Sequence, residues 1–154
     1  MKHVITGWDH LFGPWLAARM PDGLDWKPGM GSTIGLLDEE KGILASCLYE
    51  NGNGKSIIVH IAGEGKSWLN REFLWFCFYY PFEQLKLHKI IAPICSSNKD
   101  CIRWTEHIGF LLEATLKDAS PKGDILLYTM VRANCRWLSL RKKLSGKTQS
   151  SPST

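Results

Sequence analysis

The sequence predicts one α/β domain, a mixed and mostly antiparallel central sheet with helices on its faces. Three features point there. Strand-like segments joined by turns fill residues 32–62, helix-period segments then alternate with a short, almost uniformly apolar strand between residues 70 and 108, and a last hairpin ends near residue 131. At 154 residues, 44% of them hydrophobic and 22% charged, the chain has the size and composition of a single domain with a substantial core.

The elements follow in order. Residues 11–20 (LFGPWLAARM) carry apolar positions at helical spacing, and the Pro- and Gly-rich PDGLDWKPGMG after them reads as a loop, so the first part of the chain is expected to be helical. Residues 32–37 and 43–50 are strand-like and separated by DEEKG; NGNG at 51–54 is a hairpin turn into a third strand at 56–62. Residues 70–85 return to helical periodicity, and residues 89–95 (KIIAPIC) have the continuous apolar character of a strand buried on both faces. A strand, helix and strand in that order imply a parallel crossover. Residues 98–108 form a second amphipathic helix ended by Gly109, and strands at 112–117 and 125–131 flank SPKGD.

Composition removes several function classes. The longest apolar run, residues 73–82, is about half of the ~18 residues of a membrane span and contains Pro81, and no signal-like apolar region opens the sequence, so a cytoplasmic protein without membrane partners is expected. Five cysteines without CxxC spacing read as reduced core thiols, and no metal site is expected. The formal charge is +4, yet the last stretch carries Arg141, Lys142, Lys143 and Lys147 with no acid; residues 1–138 are therefore a near-neutral domain and residues 139–154 a basic, disordered tail. Nucleic-acid contact is expected only weakly and through that tail, since nucleic-acid binding draws on a basic face.

GEGKSWLNREFL, residues 63–74, resembles a phosphate loop running into a helix. A Walker loop needs GxxxxGK[ST], but the positions five residues before the three GK[ST] glycines are Tyr49, His60 and Arg141, so a triphosphate site is excluded. A dinucleotide GxGxxG also fails, because Trp68 stands where the third glycine belongs. What remains is a Gly-rich turn at a helix N-terminus, where main-chain N–H groups, the helix dipole, Lys66 and Arg71 favour an anion.

Two segments carry a family resemblance. FLWFCFYYPFEQLKLHKIIAPICSSN (73–98) and NKDCIRWTEHIGF (98–110), with a weaker echo in GDILLYTMVRANCRWL (123–138), make the chain resemble the GNAT-superfamily N-acetyltransferases, in a Rim-like branch and especially its small phage and prophage members. The resemblance implies a GNAT-like sheet and acetyl-CoA as co-substrate. It implies that Ile61 and Ala62 face the pantetheine arm, that residues 66–71, with Lys66, Trp68, Leu69, Asn70 and Arg71, take the phosphates, and that Asn98 holds the pantetheine. Trp68 replaces a glycine of the family loop, where its indole either stacks on the adenine or obstructs the phosphates. Thr105 stands where many members carry the tyrosine that protonates the departing thiolate, and Cys101 stands at a serine position that some members use.

Acetyl transfer to an amine needs a base for the amine proton, a polarised thioester carbonyl and an acid for the thiolate. His60, next to the expected pantetheine-facing strand end, is the candidate base or alternatively a satisfied core histidine; Cys101 and Tyr128 are the other catalytic candidates, with Glu50 and Glu106 behind them. The expected function is transfer of an acetyl group to a primary amine of a protein or small molecule, by direct attack in a ternary complex. The alternatives are a catalytically degenerate GNAT-like binding or virion-associated protein and, third, a nucleic-acid base-modifying acyltransferase. A homodimer is possible, and a phage-encoded chain would work in the host cytoplasm.

Overall fold

The computed structural model describes residues 1–21 and 23–139, and the predicted basic tail from residue 140 onward lies outside the described residues. The elements are β1 (Lys2–Thr6), α1 (Asp9–Ala17), β2 (Ser32–Asp38), β3 (Gly42–Glu50), β4 (Ser56–Gly63), α2 (Arg71–Tyr79) continued by a π-helical turn (Tyr80–Gln84), β5 (Lys89–Cys95), α3 (Lys99–Ile108), β6 (Leu111–Ser120) and β7 (Gly123–Val131), followed by two short 3-10 turns to Ser139. They build a seven-stranded sheet in the order β1-β2-β3-β4-β5-β7-β6, antiparallel throughout except for β4 against β5. The mixed, mostly antiparallel sheet is the architecture the sequence predicts.

One strand was not expected. Lys2–Thr6 pairs with β2 from Lys2↔Asp38 to Thr6↔Ile34, adding an edge to a region read as helical. Five residues with charged or polar groups at both ends carry too short an alternation to read locally; the partner strand, some thirty residues on, selects the conformation. The first helix also begins earlier than its apolar pattern, at Asp9, whose carboxylate accepts from the Thr33 N–H (2.9 Å) and hydroxyl (2.7 Å) and so ties the helix start to β2.

Helices cover both faces of the sheet. α2 and α3 lie over a core that includes Cys47, Tyr49, Ile57, Val59, Phe73, Phe78, Phe82, Ile90 and Phe110. Tyr49, fully buried, donates its hydroxyl hydrogen to the Cys77 carbonyl of α2, which locks the helix to β3. On the other face α1 buries Leu16 against Leu48 and Ala62, extended by Trp15 of the same helix and by Met20, Leu24 and Trp26 of the loop that follows. Along β4 the side chains alternate, with Ile57 and Val59 toward α2 and α3 and Ala62 toward α1. None of the five cysteines forms a disulfide, no cluster able to hold a metal occurs among the described residues, and no described helix is long and apolar enough to cross a membrane.

Two glycines admit the aromatic rings that fasten α1. A Cβ on Gly35 would sit 2.1 Å from the Phe12 ring, and one on Gly13 would sit 2.3 Å from the Trp26 indole. Phe12 is fully buried and has nowhere to move. Gly35→Ala is expected to cost about 1–3 kcal/mol by overpacking, read as a drop in melting temperature of roughly 2–4 °C per kcal/mol for a domain of this size, and Phe12→Leu should restore part of the loss when combined with it.

Candidate active site

The site begins where the sheet's parallel pairing ends. β4 and β5 pair at Ser56↔Lys89, Ile57↔Ile90 and Ile58↔Ile91, and no further, although β4 continues to Gly63 and β5 to Cys95. Each strand remains paired on its outer side, β4 with β3 as far as Ala45↔Gly63 and β5 with β7 as far as Cys95↔Ile125. Two paired strands thus diverge as a fork within an otherwise continuous sheet.

Backbone alternation identifies the groups that face the fork. In β4 the Glu64 N–H donates to the Leu44 carbonyl, so even-numbered residues turn their main chain to β3 and odd ones, Ile61 and Gly63 among them, turn it to the gap. Beside β5 the Arg132 N–H donates to the His88 carbonyl and the Ser96 N–H to the Asp124 carbonyl, so odd-numbered residues of β5 face β4. Pro93 is one of them, and it has no N–H to give. Ile61 was expected here; Ala62 was expected with it, but its main chain turns toward Ser46 in β3, and Gly63 takes the facing position.

A narrow slot of about 40 Å³ occupies the fork, lined from β4 by Val59, His60 and Ile61, from β5 by Ala92 to Cys95, from α3 by Cys101, Trp104 and Thr105, and from the opposite face by Met20 and Pro21. Asn98 reaches the same slot, but its side-chain oxygen caps α3 by accepting the Cys101 N–H at 3.3 Å. His60 Nε2 lies 2.9 Å from Glu50 Oε1, and both side chains are about 15% exposed or less. The pair is largely shielded from water, and Glu50 orients the imidazole and leaves Nδ1 as its second nitrogen. A larger cavity of about 190 Å³ adjoins His60 on the α1 face.

The other two catalytic candidates differ in placement. Cys101 borders the slot with its sulfur 3.8 Å from the buried Thr105 hydroxyl, and burial pushes its thiol up to about 11. Tyr128 does not line the slot; its hydroxyl donates to Glu106 Oε2 at 2.8 Å, and burial followed by that carboxylate raises it to about 12.

The loop after β4 is held from three sides. Glu64 accepts both Arg19 Nε (2.8 Å) and Nη2 (2.6 Å), while the Arg19 guanidinium lies 3.7 Å over the Trp15 ring. Lys2 Nζ donates to the Ser67 carbonyl at 2.9 Å. The Trp68 indole, only 3% exposed, lies on Gly63, where a Cβ would come within 2.4 Å of it, and meets Trp104 of α3 edge-on at 4.9 Å. Partly exposed ion pairs contribute about 0–1 kcal/mol, whereas losing a buried Trp costs about 3–5 kcal/mol, so the indole is the main anchor.

The loop main chain is partly spent internally. The Leu69 N–H donates to the Lys66 carbonyl and the Asn70 N–H to the Trp68 carbonyl, and the Asn70 side chain caps α2 by accepting the Phe73 N–H. Leu69 and Asn70 therefore shape the turn. Beside it a groove of about 630 Å³ runs between the loop and α3, lined by Gly63, Gly65, Lys66, Trp68, Leu69, Asp100, Arg103, Trp104 and His107. It continues past Leu69 and His107 to Arg71, Arg136 and Trp137. The groove is basic, with Asp100 as its one lining acid among the described residues. Arg103, His107 and Arg136 were not singled out from the sequence, because they join Lys66 and Arg71 only when α3 and the last 3-10 turn pack beside the loop.

No protein-family model and no characterised protein matches the chain by sequence. Solved structures do match by shape. Mutant forms of the spermidine/spermine N-acetyltransferase SpeG from Vibrio cholerae, each with a glutamate replaced by glutamine, superpose with a TM-score of 0.70 at 16% identity, over 92% of this chain and 98% of that one. A Vibrio cholerae spermidine N-acetyltransferase solved with CoA and spermine gives 0.68 at 15% identity, over 87% and 96%. A third structure, a SpeG variant from the same organism with a phenylalanine replaced by glycine, gives 0.71 at 13%, over 91% and 98%. The chain has the fold of these acetyltransferases over nearly its full described length.

The raised Cys101 thiol keeps its proton through neutral pH, since burial disfavours the thiolate, and ionises only as pH approaches 11. Its alkylation by iodoacetamide, followed by peptide mass spectrometry, is expected to be slow at pH 7–8 and to keep rising above pH 9, where an ordinary thiol would already have levelled off.

Proposed function

We infer that the protein is an acetyl-CoA-dependent N-acetyltransferase acting on a primary amine. The observation that carries the reading is the fork, two strands paired on their outer sides with main-chain groups of Ile61, Gly63 and the Pro93 carbonyl facing the gap between them. The pantetheine arm of CoA has two amides along an extended chain and fits such a gap as a short strand would. The basic groove beside it suits the pyrophosphate and ribose phosphate, with Lys66, Arg71, Arg103, His107 and Arg136 as partners.

In this reading the amine nitrogen attacks the thioester carbonyl carbon, a C–N bond forms and the C–S bond breaks. His60 takes the amine proton on Nδ1, and Glu50 holds the ring and stabilises the imidazolium. Cys101 offers its S–H to the departing sulfur. Against an ordinary thiol near 8.5, full proton transfer from a group at about 11 runs uphill, unless the same apolar slot raises the leaving thiolate as well. Cys101 is therefore assigned chiefly as a hydrogen-bond donor to the thiolate.

The test combines binding and turnover. Acetyl-CoA is expected to raise the melting temperature saturably, and His60→Ala to lower kcat by about 10²–10⁴-fold with that shift retained, while Glu50→Gln lowers kcat less. No melting shift at millimolar acetyl-CoA, or full turnover by His60→Ala, contradicts the reading.

One observation favours a second reading, a GNAT-like binding domain without catalysis. Trp104 borders both the groove and the slot, and Trp68 fills the space over Gly63 beside it, so the tryptophan pair stands between phosphate site and fork. The acetyltransferase reading therefore requires this pair to move. With 5-fluorotryptophan in the protein, acetyl-CoA is expected to shift the ¹⁹F resonances assigned through Trp68→Phe and Trp104→Phe. Failure of the wild type to bind, with recovery in Trp68→Gly, would establish the obstructed domain instead.

A further inference from the structure

We propose that the acceptor is a monoamine carried on a compact apolar body, an arylalkyl or branched alkyl amine, rather than a polyamine; the proposal rests on the acetyltransferase reading above. The cavity on the α1 face of the fork measures about 190 Å³ and is walled by Met20, Leu24, Pro93, Cys95 and Ile125, with His60 at its edge. An apolar cavity of roughly 150 Å³ holds benzene, so this one takes a body of about that size.

The charges of the described lining favour a monoamine over a polyamine. No carboxylate lines this cavity or the slot among the described residues, and Glu50, the acid beside them, is already bonded to His60. The one amine that reacts needs no counter-ion once it is neutral. A second or third ammonium on the same substrate would lie against Met, Leu, Pro and Ile side chains with no carboxylate partner among the described lining residues, which is unfavourable. The spermidine N-acetyltransferases share the fold, but acceptor choice belongs to the walls and not to the sheet. Those walls are braced before any ligand arrives. Trp26 packs onto Gly13, and Arg19, at the start of the same loop, is clamped between Trp15 and Glu64.

The test follows free thiol release from acetyl-CoA with 2-phenylethylamine, isopentylamine, spermidine, 1,4-diaminobutane and a peptide with an N-terminal leucine. The expected result is a kcat/KM for the two apolar monoamines on the order of 100-fold above the polyamines and the peptide. Ile125→Asp should narrow the gap to the diamine by about tenfold or more. A preference for spermidine or for the peptide, in protein whose melting temperature acetyl-CoA raises, overturns the proposal and leaves the acetyltransferase reading intact. Absence of the acetyl-CoA shift overturns that reading instead. The pocket is then judged alone, by titrating 2-phenylethylamine into protein with ¹³C-labelled methionine and isoleucine methyls: no perturbation at Met20 and Ile125 overturns it, and saturable perturbation at both, with none from spermidine, supports it.

Discussion

Pro93 stands in β5 with its main chain turned toward β4, and it has no N–H to offer that neighbour. A strand buried in a sheet normally meets both partners; here the ladder to β4 stops after Ile58↔Ile91, two residues before the proline, while the ladder to β7 runs on to Cys95. The gap is tolerable because the remaining groups on each side still have an outer partner strand. The rest of the site is arranged around that opening. α3 closes one face with Cys101, Trp104 and Thr105, the loop after α1 closes the other with Met20 and Pro21, and His60 reaches it from β4.

Trp68 links the loop to this opening. A glycine-rich loop would leave its main chain loose against a ligand; an indole driven onto Gly63 and against Trp104 makes the loop part of the core. Rigidity and access are traded against each other, because the same packing that orders Lys66 beside Arg103 and His107 also separates the groove of about 630 Å³ from the slot of about 40 Å³. A chain that crosses from one to the other must move an aromatic ring, a cost that, under the proposed reading, phosphate contacts in the groove would have to offset.

The two faces of the fork differ in chemistry. The α2–α3 face leads to a basic groove, suited to a polyanion. The cavity on the α1 face is lined mostly by apolar side chains, with His60, bonded to Glu50, at its edge. Under the proposed acetyltransferase reading, such an arrangement would bring a charged donor and an apolar acceptor to one narrow point, as a ternary complex that excludes water from an acyl group requires.

Much of this was legible in the linear chain. The NGNG hairpin, the uniformly apolar KIIAPIC strand and Gly109 after an amphipathic helix are local signals, dictated by backbone conformations and burial patterns that neighbouring residues set among themselves. So was the exclusion of a triphosphate loop, which rests on spacing alone. Lys2–Thr6 was not legible, since five residues adopt an edge strand only when β2 is present to pair with them. Nor were the glutamate that orients His60, the tryptophan wall over Gly63 or the collection of Arg103, His107 and Arg136 beside Lys66. A proline inside a buried strand was visible, but whether its missing donor faced a paired ladder or a gap depends on which way the pleat turns at residue 93. The sequence alone thus determined the element order and the chemistry on offer. Only tertiary packing decided which groups meet, because cross-strand register and helix placement bring together residues whose separation along the chain carries no local signal.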